Sequence, residues 1–374
     1  MANDLEARAI NVIRGLSMDA VQKANSGHPG TPMALAPLAH VLFTRVMKYD
    51  ASDGDWIDRD RFVLSAGHAS MLLYSMLYLC GLGLELDDLR DFRQFGSKTP
   101  GHPEKGHTKA VEVTTGPLGQ GTGNAVGIAV AEAHLRARFG TDLVDHHTFA
   151  IASDGDLMEG ISHEAASFAG HFKLGNLVMV YDDNHITIDG PTELTYTDNV
   201  PERYRAYGWH VVELGEVAED LDALEGGLHM GIAETERPTL LVLRSHIGYP
   251  SPKVQDTAAA HGNPLGADEV KVVKGILGLP EDQDFYVPAD VLAYYREAGL
   301  RGKPAREAWD KRKAAMDPAL AEEFDACIAG RGVAGWEQKL PSWEAGASLA
   351  TRVACADVLT SVFDVVPGLM GGAG

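Results

Sequence analysis

Ser153-Asp154-Gly155-Asp156-Leu157-Met158-Glu159-Gly160 and, further on, Tyr181-Asp182-Asp183-Asn184-His185-Ile186 are the stretches on which the reading of this chain turns. Each follows a short apolar run, Phe149-Ala150-Ile151-Ala152 and Leu177-Val178-Met179-Val180. Such runs, bounded by turn formers, predict buried parallel strands, and residues 159–172 between them predict the connecting helix. Asp154 and Asn184 then stand at the carboxyl ends of two strands of one βαβ unit, where open α/β sheets bind their ligands. An Asp carboxylate, an Asn amide oxygen and the backbone carbonyl of Ile186 are hard oxygen donors. With diphosphate oxygens and a water they complete an octahedron around Mg²⁺ or Ca²⁺. The competing reading is plain, since Asp, Gly and Asn are also common turn formers. Glu159-Gly160 at the helix start, the tandem Asp182-Asp183 and the sheet context favour a metal-bridged diphosphate.

The bulk numbers exclude some classes. The 374 residues carry 32 basic and 53 acidic side chains, a net charge of −21, which argues against nucleic acid or an anionic membrane as the main partner. A local cluster of His and Arg can still bind a phosphorylated substrate. Three widely spaced cysteines, Cys80, Cys327 and Cys355, form neither a disulfide framework nor a zinc pattern and read as reduced cytosolic thiols. The polar, acidic start Met1-Ala2-Asn3-Asp4-Leu5-Glu6 is unlike a signal or transit peptide. No apolar run approaches the roughly 20 residues that cross a bilayer. A cytoplasmic protein is expected.

Outward from the opening unit, Asn3 and Glu6 form a capping box ahead of a first helix, which stops at Ser26-Gly27-His28-Pro29-Gly30. Residues 32–46 read as a second helix, 61–65 as a strand, 71–79 and 87–95 as helices, and 124–138 as a long alanine-rich helix. Strands at 209–214 and 238–244 flank a helix at 218–235. Alternation fails after about residue 274, and 289–324 reads as charged helices. The fold class is therefore α/β: a doubly wound, mainly parallel sheet with helices on both faces, followed by a helical and linker extension. We expect one domain over 1–325, a linker over 326–347 and the start of a second domain over 348–374, where Leu349, Val353, Ala356 and Thr360 share a helix face. That helix and the apolar stretch after it have no domain of their own to pack into, so the N-terminal part of a longer polypeptide is expected.

Two further constellations matter. Thr114-Thr115-Gly116-Pro117-Leu118-Gly119-Gln120-Gly121 is either a loop that tolerates close packing or a backbone cradle for phosphate or a ring ahead of a helix N-terminus. It has neither the Walker A nor the Rossmann glycine pattern. Of the 15 histidines, four lie in glycine/proline loops: His28, His68, His102 and His261. A lone histidine is more often structural. Four in such loops suit the binding of phosphate or sugar hydroxyls and the movement of protons near neutral pH.

Ser26-Gly27-His28-Pro29-Gly30, Arg61-Phe62-Val63-Leu64-Ser65 with Gly67-His68, Lys98-Thr99-Pro100-Gly101-His102-Pro103-Glu104, the 114–121 loop, Asp154-Gly155 and His261-Gly262 with Pro264-Leu265-Gly266 together closely resemble transketolase, in order and spacing. The resemblance covers essentially the whole chain. It implies a homodimeric thiamine-diphosphate enzyme with Mg²⁺ or Ca²⁺, moving a two-carbon glycolaldehyde unit from a ketose phosphate to an aldose phosphate in the pentose phosphate pathway. By position, Asp154, Asn184 and the Ile186 carbonyl would hold the metal. His68, Gly116, Pro117, Leu118 and Gly155 would contact the cofactor, and His261 would lie between cofactor and substrate. His28 and His102 would stand beside the reacting donor oxygens, Arg352 would meet a substrate phosphate, and Glu159 would belong to a carboxylate network linking the two sites of the dimer. Ser153 replaces the usual Gly, a small-for-small change expected to be harmless. The family's pyrimidine-binding domain carries an activating glutamate, and no matching motif is present here. The alternatives are a dihydroxyacetone synthase-like enzyme and an inactive split subunit or binding module that needs a partner chain. Deoxyxylulose-phosphate synthase fits the Gly-His-Pro-Gly and His-Gly-x-Pro-Leu-Gly loops poorly.

Overall fold

Strand pairing sets the frame in a computed structural model that describes residues 4–372. Arg61–Leu64 (β1), Thr148–Ser153 (β2), Leu177–Asp183 (β3), His210–Gly215 (β4) and Thr239–Arg244 (β5) form one parallel sheet in the order β1-β2-β3-β5-β4. Side chains alternate across it. Phe149 and Ile151 of β2 enter one core while Ala150 and Ala152 enter the other, and β3 divides Val178 and Val180 from Leu177, Met179 and Tyr181 in the same way. Both faces are thus covered, which is why these strands read as unbroken apolar runs.

The helices supply that cover. Asp4–Ala24 (α1), Gly30–Ala34 (α2), Ala36–Val41 (α3), Ser70–Cys80 (α4), Leu86–Arg90 (α5) and Gln120–Phe139 (α6) come before β2 or flank β1. Asp154–Met158 (α7) and Gly160–His171 (α8) join β2 to β3, Val200–Ala206 (α9) precedes β4, and Leu221–Ala233 (α10) joins β4 to β5. Ala258–Gly262 (α11), Ala267–Leu277 (α12) and Ala289–Gly299 (α13) follow. Residues of α1, α3, α4, α10 and α13 fill one core, and those of α6 to α9 fill the other. The fold is the expected α/β sheet with helices on both faces.

Several expected elements differ in detail. The 32–46 helix is broken at Leu35, and its last turn, Leu42–Val46, is a π-helix. Pro37 has no N–H to return to residue 33, so the helix restarts instead of continuing. The 87–95 helix ends at Arg90, ahead of Arg93, whose φ of 60° is left-handed. The long helix begins at Gln120 instead of 124. The 159–172 helix is preceded by the short α7, and Glu159 between them is extended at ψ 141°. The Asn3 cap lies outside the described residues, while Glu6 engages Arg45 at 2.5 Å.

The chain divides into two compact units, one of residues up to 135 with 144–306 and one of 136–143 with the residues from 307 on. Within the first, Lys274 of α12 reaches Asp19 of α1 (2.8 Å) and Asp284 (2.6 Å), and Asp19 also accepts the Phe285 amide at 2.7 Å. Lys274 and Asp19 are almost fully buried. Lys274→Met leaves Asp19 as an unpaired buried carboxyl, and we expect a loss of about 3–5 kcal/mol in urea unfolding. A loss below about 1 kcal/mol, the scale of an exposed ion pair, would contradict this. In the second unit, Lys303–Ala314 (α14), Pro318–Ile328 (α15) and Thr351–Val362 (α16) are the helices. Phe139 and Trp309 pack on Phe324 with ring centroids 5.1 and 6.3 Å away, and Trp309 Nε1 donates to the Leu143 carbonyl at 2.8 Å. Leu349 precedes α16, and Leu349, Val353, Ala356 and Thr360 are all exposed. Among the described residues no helix is long and apolar enough to cross a membrane.

Candidate functional site

β2 and β3 are neighbours paired Ser153 to Asp182, so the chain leaves the sheet side by side at Asp154 and Asn184. Asp154 is buried, and Tyr181 Oη donates to its Oδ1 at 2.5 Å while standing 3.0 Å from Asp183 Oδ1. One hydroxyl hydrogen serves one carboxylate at a time, and Asp154 Oδ2 has no hydrogen-bond partner among the described residues. Burial pushes the Asp154 carboxyl up to about 7, the Tyr181 hydrogen bond opposes this, and Asp182 and Asp183 add to it. A bare buried carboxylate oxygen among like charges is a place for a cation. Asn184 donates its amide to Asp182 Oδ2 (2.8 Å), which turns its Oδ1 toward the Ile186 amide at 2.9 Å. That oxygen keeps a second lone pair for a metal.

The four loop histidines meet next to this turn. The His28 ring lies 5.1 Å from His68, 5.6 Å from His261 and 6.3 Å from His102, and His68 lies 4.9 Å from His261, centroid to centroid. The backbone brings His28 and His261 together. A Cβ on Gly30 would meet the Ala260 carbonyl oxygen at 2.4 Å, so only glycine lets the two loops close. Burial, then the neighbouring His261, Arg93 and His102, depresses His28 to about 4. Burial also holds His68 well below its ordinary value and lowers His102 and His261. All four are neutral imidazoles near pH 7, each offering one donor and one acceptor. His68 Nε2 and His261 Nδ1 are buried without hydrogen-bond partners among the described residues.

The glycine loop closes the site. Gly116 has φ +138°, and a Cβ there would touch the His102 ring at 3.1 Å. One cavity of ≈ 370 Å³ is lined by His28, His68, His102, His261, Gly116, Leu118, Asp154, Gly155, Glu159, Asn184 and Ile186, with Ser153, Met158, Thr187 and Ile188 between them. Its size suits a small organic ligand. Two of the expected site residues are not among those that line this cavity. Pro117 is exposed and outside the lining, and Arg352 is exposed on α16 in the second unit.

The sequence reading missed two residues here. Arg93, taken as helical, donates to Ser26 Oγ at 2.9 Å and stands 3.4 Å from His28 Nδ1, where a donor-only guanidinium requires an unprotonated nitrogen. Asp156, wholly buried, accepts from Gly119 N and Ser65 Oγ, both at 2.8 Å. Its local signal was legible as a capping pair with Ser153, whose amide donates to it at 2.9 Å.

The donor set fits a divalent cation with a diphosphate: one carboxylate, an amide oxygen and a carbonyl beside a glycine loop. Among the described residues no group of three or more His, Cys, Asp or Glu is placed to hold a metal ion, so such an ion would depend on oxygens from its ligand.

A family profile described as transketolase, thiamine diphosphate binding domain, matches residues 5–332. The chain belongs to the transketolase family. Transketolase of Halalkalibacterium halodurans is 47% identical over 379 residues, covering 100% of this chain and 57% of the relative. That of Geobacillus stearothermophilus is 47% identical over 380 residues, with the same coverage of each. Among solved structures, transketolase from Leishmania mexicana superposes with a TM-score of 0.94 at 44% identity, over 99% of this chain and 56% of that one. A Pichia stipitis transketolase in complex with sedoheptulose-7-phosphate superposes equally well at 44% identity, over 98% of this chain and 55% of that one. The chain thus spans 57% of the length of these curated transketolase relatives. The fold and the thiamine-diphosphate-binding class expected from the loops agree with this family.

Proposed function

We propose that the chain forms the diphosphate-binding part of a transketolase, in which Asp154, Asn184 and the Ile186 carbonyl would hold the Mg²⁺ or Ca²⁺ that accompanies thiamine diphosphate. The observation that carries this reading is the unpaired Asp154 Oδ2 on the same cavity as four neutral imidazoles. Thiamine diphosphate, when bound, supplies an electron sink for breaking the carbon–carbon bond beside a ketose carbonyl. This chain's own residues contribute binding, orientation and proton movement. Gly116 and Gly155 leave space for the cofactor, with His68, Leu118 and Pro117 as its further contacts. His28 and His261 take protons from sugar hydroxyls and return them, an exchange that needs the neutral form they hold. His102 orients the donor sugar, and Arg352 meets the substrate phosphate.

The substrates on this reading are sugar phosphates of the xylulose 5-phosphate class, and the setting is the cytoplasmic pentose phosphate pathway. The assembly is a homodimer, with Glu159 in a carboxylate network between the sites and the cofactor's pyrimidine end held by a second domain. Glu159 is exposed, and Leu118 and Ile161, together with Phe168 and Phe172 further along α8, are exposed apolar side chains, as a subunit contact requires. On the same reading, 1–325 is the first domain, 326–347 a linker and 348–374 the start of that second domain.

The native protein, given thiamine diphosphate and Mg²⁺, should convert xylulose 5-phosphate and ribose 5-phosphate to a seven-carbon and a three-carbon sugar phosphate in a coupled assay. Turnover with formaldehyde as acceptor but not with ribose 5-phosphate would replace this reading with the dihydroxyacetone synthase one, and no turnover with either would overturn both.

A further inference from the structure

We propose that Asp156 is a positioning residue that sets the distance between the Asp154 turn and the glycine-rich loop, a role that rests on reading the cavity as a cation and diphosphate site. Its carboxylate is completely buried, and each of its hydrogen-bond partners is a neutral donor. Oδ2 accepts from Ser153 N (2.9 Å) and Ser153 Oγ (3.1 Å), at the turn that presents Asp154. Oδ1 accepts from Gly119 N and Ser65 Oγ, both 2.8 Å away. One side chain therefore joins three segments distant in sequence: the end of β1 that leads to His68, the 114–121 loop, and the start of α7.

The surrounding hydroxyls lock the arrangement. Ser65 Oγ accepts from Thr122 N at 3.1 Å, Thr122 Oγ1 donates to the Gly119 carbonyl at 2.7 Å, and Ser162 Oγ donates to the Asp156 carbonyl at 2.5 Å. Capping α7 alone needs only the Ser153 side of the carboxylate. The Gly119 side adds nothing to that helix, and it fixes the loop whose Gly116 and Leu118 line the cavity. Only an acceptor with two equivalent oxygens satisfies both backbone amides. Asparagine has the same shape, but either orientation of its amide sets an NH₂ against one backbone N–H. Asp156→Asn therefore frees one of the two segments with little change in volume.

The test compares wild type, Asp156→Asn and Lys274→Met. The last is a stability control whose residue and partners do not line the cavity. Calorimetric titration with thiamine diphosphate in Mg²⁺ is expected to show at least a tenfold weaker affinity for Asp156→Asn and an unchanged affinity for Lys274→Met. Hydrogen exchange without any ligand is expected to quicken in 114–121 or 153–160 of Asp156→Asn alone. Affinity of Asp156→Asn within twofold of wild type, or an equal loss in Lys274→Met, would overturn the proposal. Should Asp156→Asn fail to fold, Ser65→Ala removes one donor and is expected to weaken binding about threefold, and no weakening would count against the role. A wild-type protein that binds no thiamine diphosphate would sink the proposed function. The exchange comparison would still decide whether Asp156 positions the loop.

Discussion

Asp154→Asn is expected to weaken Mg²⁺-dependent thiamine diphosphate binding by 100-fold or more, about 3 kcal/mol, while leaving the ligand-free protein at least as stable as wild type. Both halves follow from one side chain. Asp154 is the only carboxylate in the proposed ligand set, so its loss removes the charge that a divalent ion needs. Without the ion, the same carboxyl is a burden, because burial and the nearby Asp182 and Asp183 hold it near 7. A folded value above the usual carboxylate range means that the fold is favoured when the group is protonated. That contribution is complete below about pH 4 and is lost as pH rises through 7, on the order of 4 kcal/mol. The stability gain of Asp154→Asn over wild type should therefore be largest at pH 8, smaller by more than half at pH 5 and absent below about pH 4, read from urea unfolding without metal. Saturating Mg²⁺ and cofactor should reverse the order. A variant that binds as wild type does, or one destabilised alike at pH 5 and pH 8, would count against the assignment.

Acid is expected to attack the fold through its buried imidazoles. Burial holds His28, His40 and His146 each at about 4. Their folded values lie below 6.5, so the unfolded chain takes up protons first. The stability they protect is whole above pH 6.5 and lost as pH falls toward 4, by up to about 3 kcal/mol for each. Buried carboxyls act in the opposite direction over the same window, since Asp154 sits near 7 and Asp182 near 6. Removing a single histidine isolates its part. His40 is fully buried, its Nδ1 2.9 Å from Tyr295 Oη and its Nε2 3.5 Å from Glu6. His40→Gln should flatten the fall in unfolding free energy between pH 6.5 and 4 by about 3 kcal/mol relative to wild type. Parallel curves for the two proteins would contradict this.

Much of this architecture was legible because it is local. The apolar runs before Asp154 and Asn184 reported two doubly buried strands, and the glycine and proline loops around the four histidines reported the ends of elements. That these loops converge follows from parallel topology, which places every strand's carboxyl end on one edge. What stayed hidden depends on distant partners. Ser65 and Asp156 lie 91 positions apart, and neither the buried hydroxyl network nor the reach of Arg93 to His28 leaves a periodic trace. The position of β4 at the sheet's outer edge, beyond β5, is likewise a choice of pairing that strand periodicity does not encode. The break at Leu35 was legible after all, since Pro37 stood within the expected helix. Pro117 belongs to the same loop and is exposed, outside the cavity lining.

Asp154 and Asn184 are proposed to hold the cation that would accompany the diphosphate of thiamine diphosphate. Calorimetric titration of the protein with thiamine diphosphate, once in Mg²⁺ and once in EDTA, tests it most directly. Saturable binding at one site per chain is expected in Mg²⁺, restored by Ca²⁺ after chelation and displaced by inorganic diphosphate. Binding of equal strength in EDTA, or none in Mg²⁺, would contradict it.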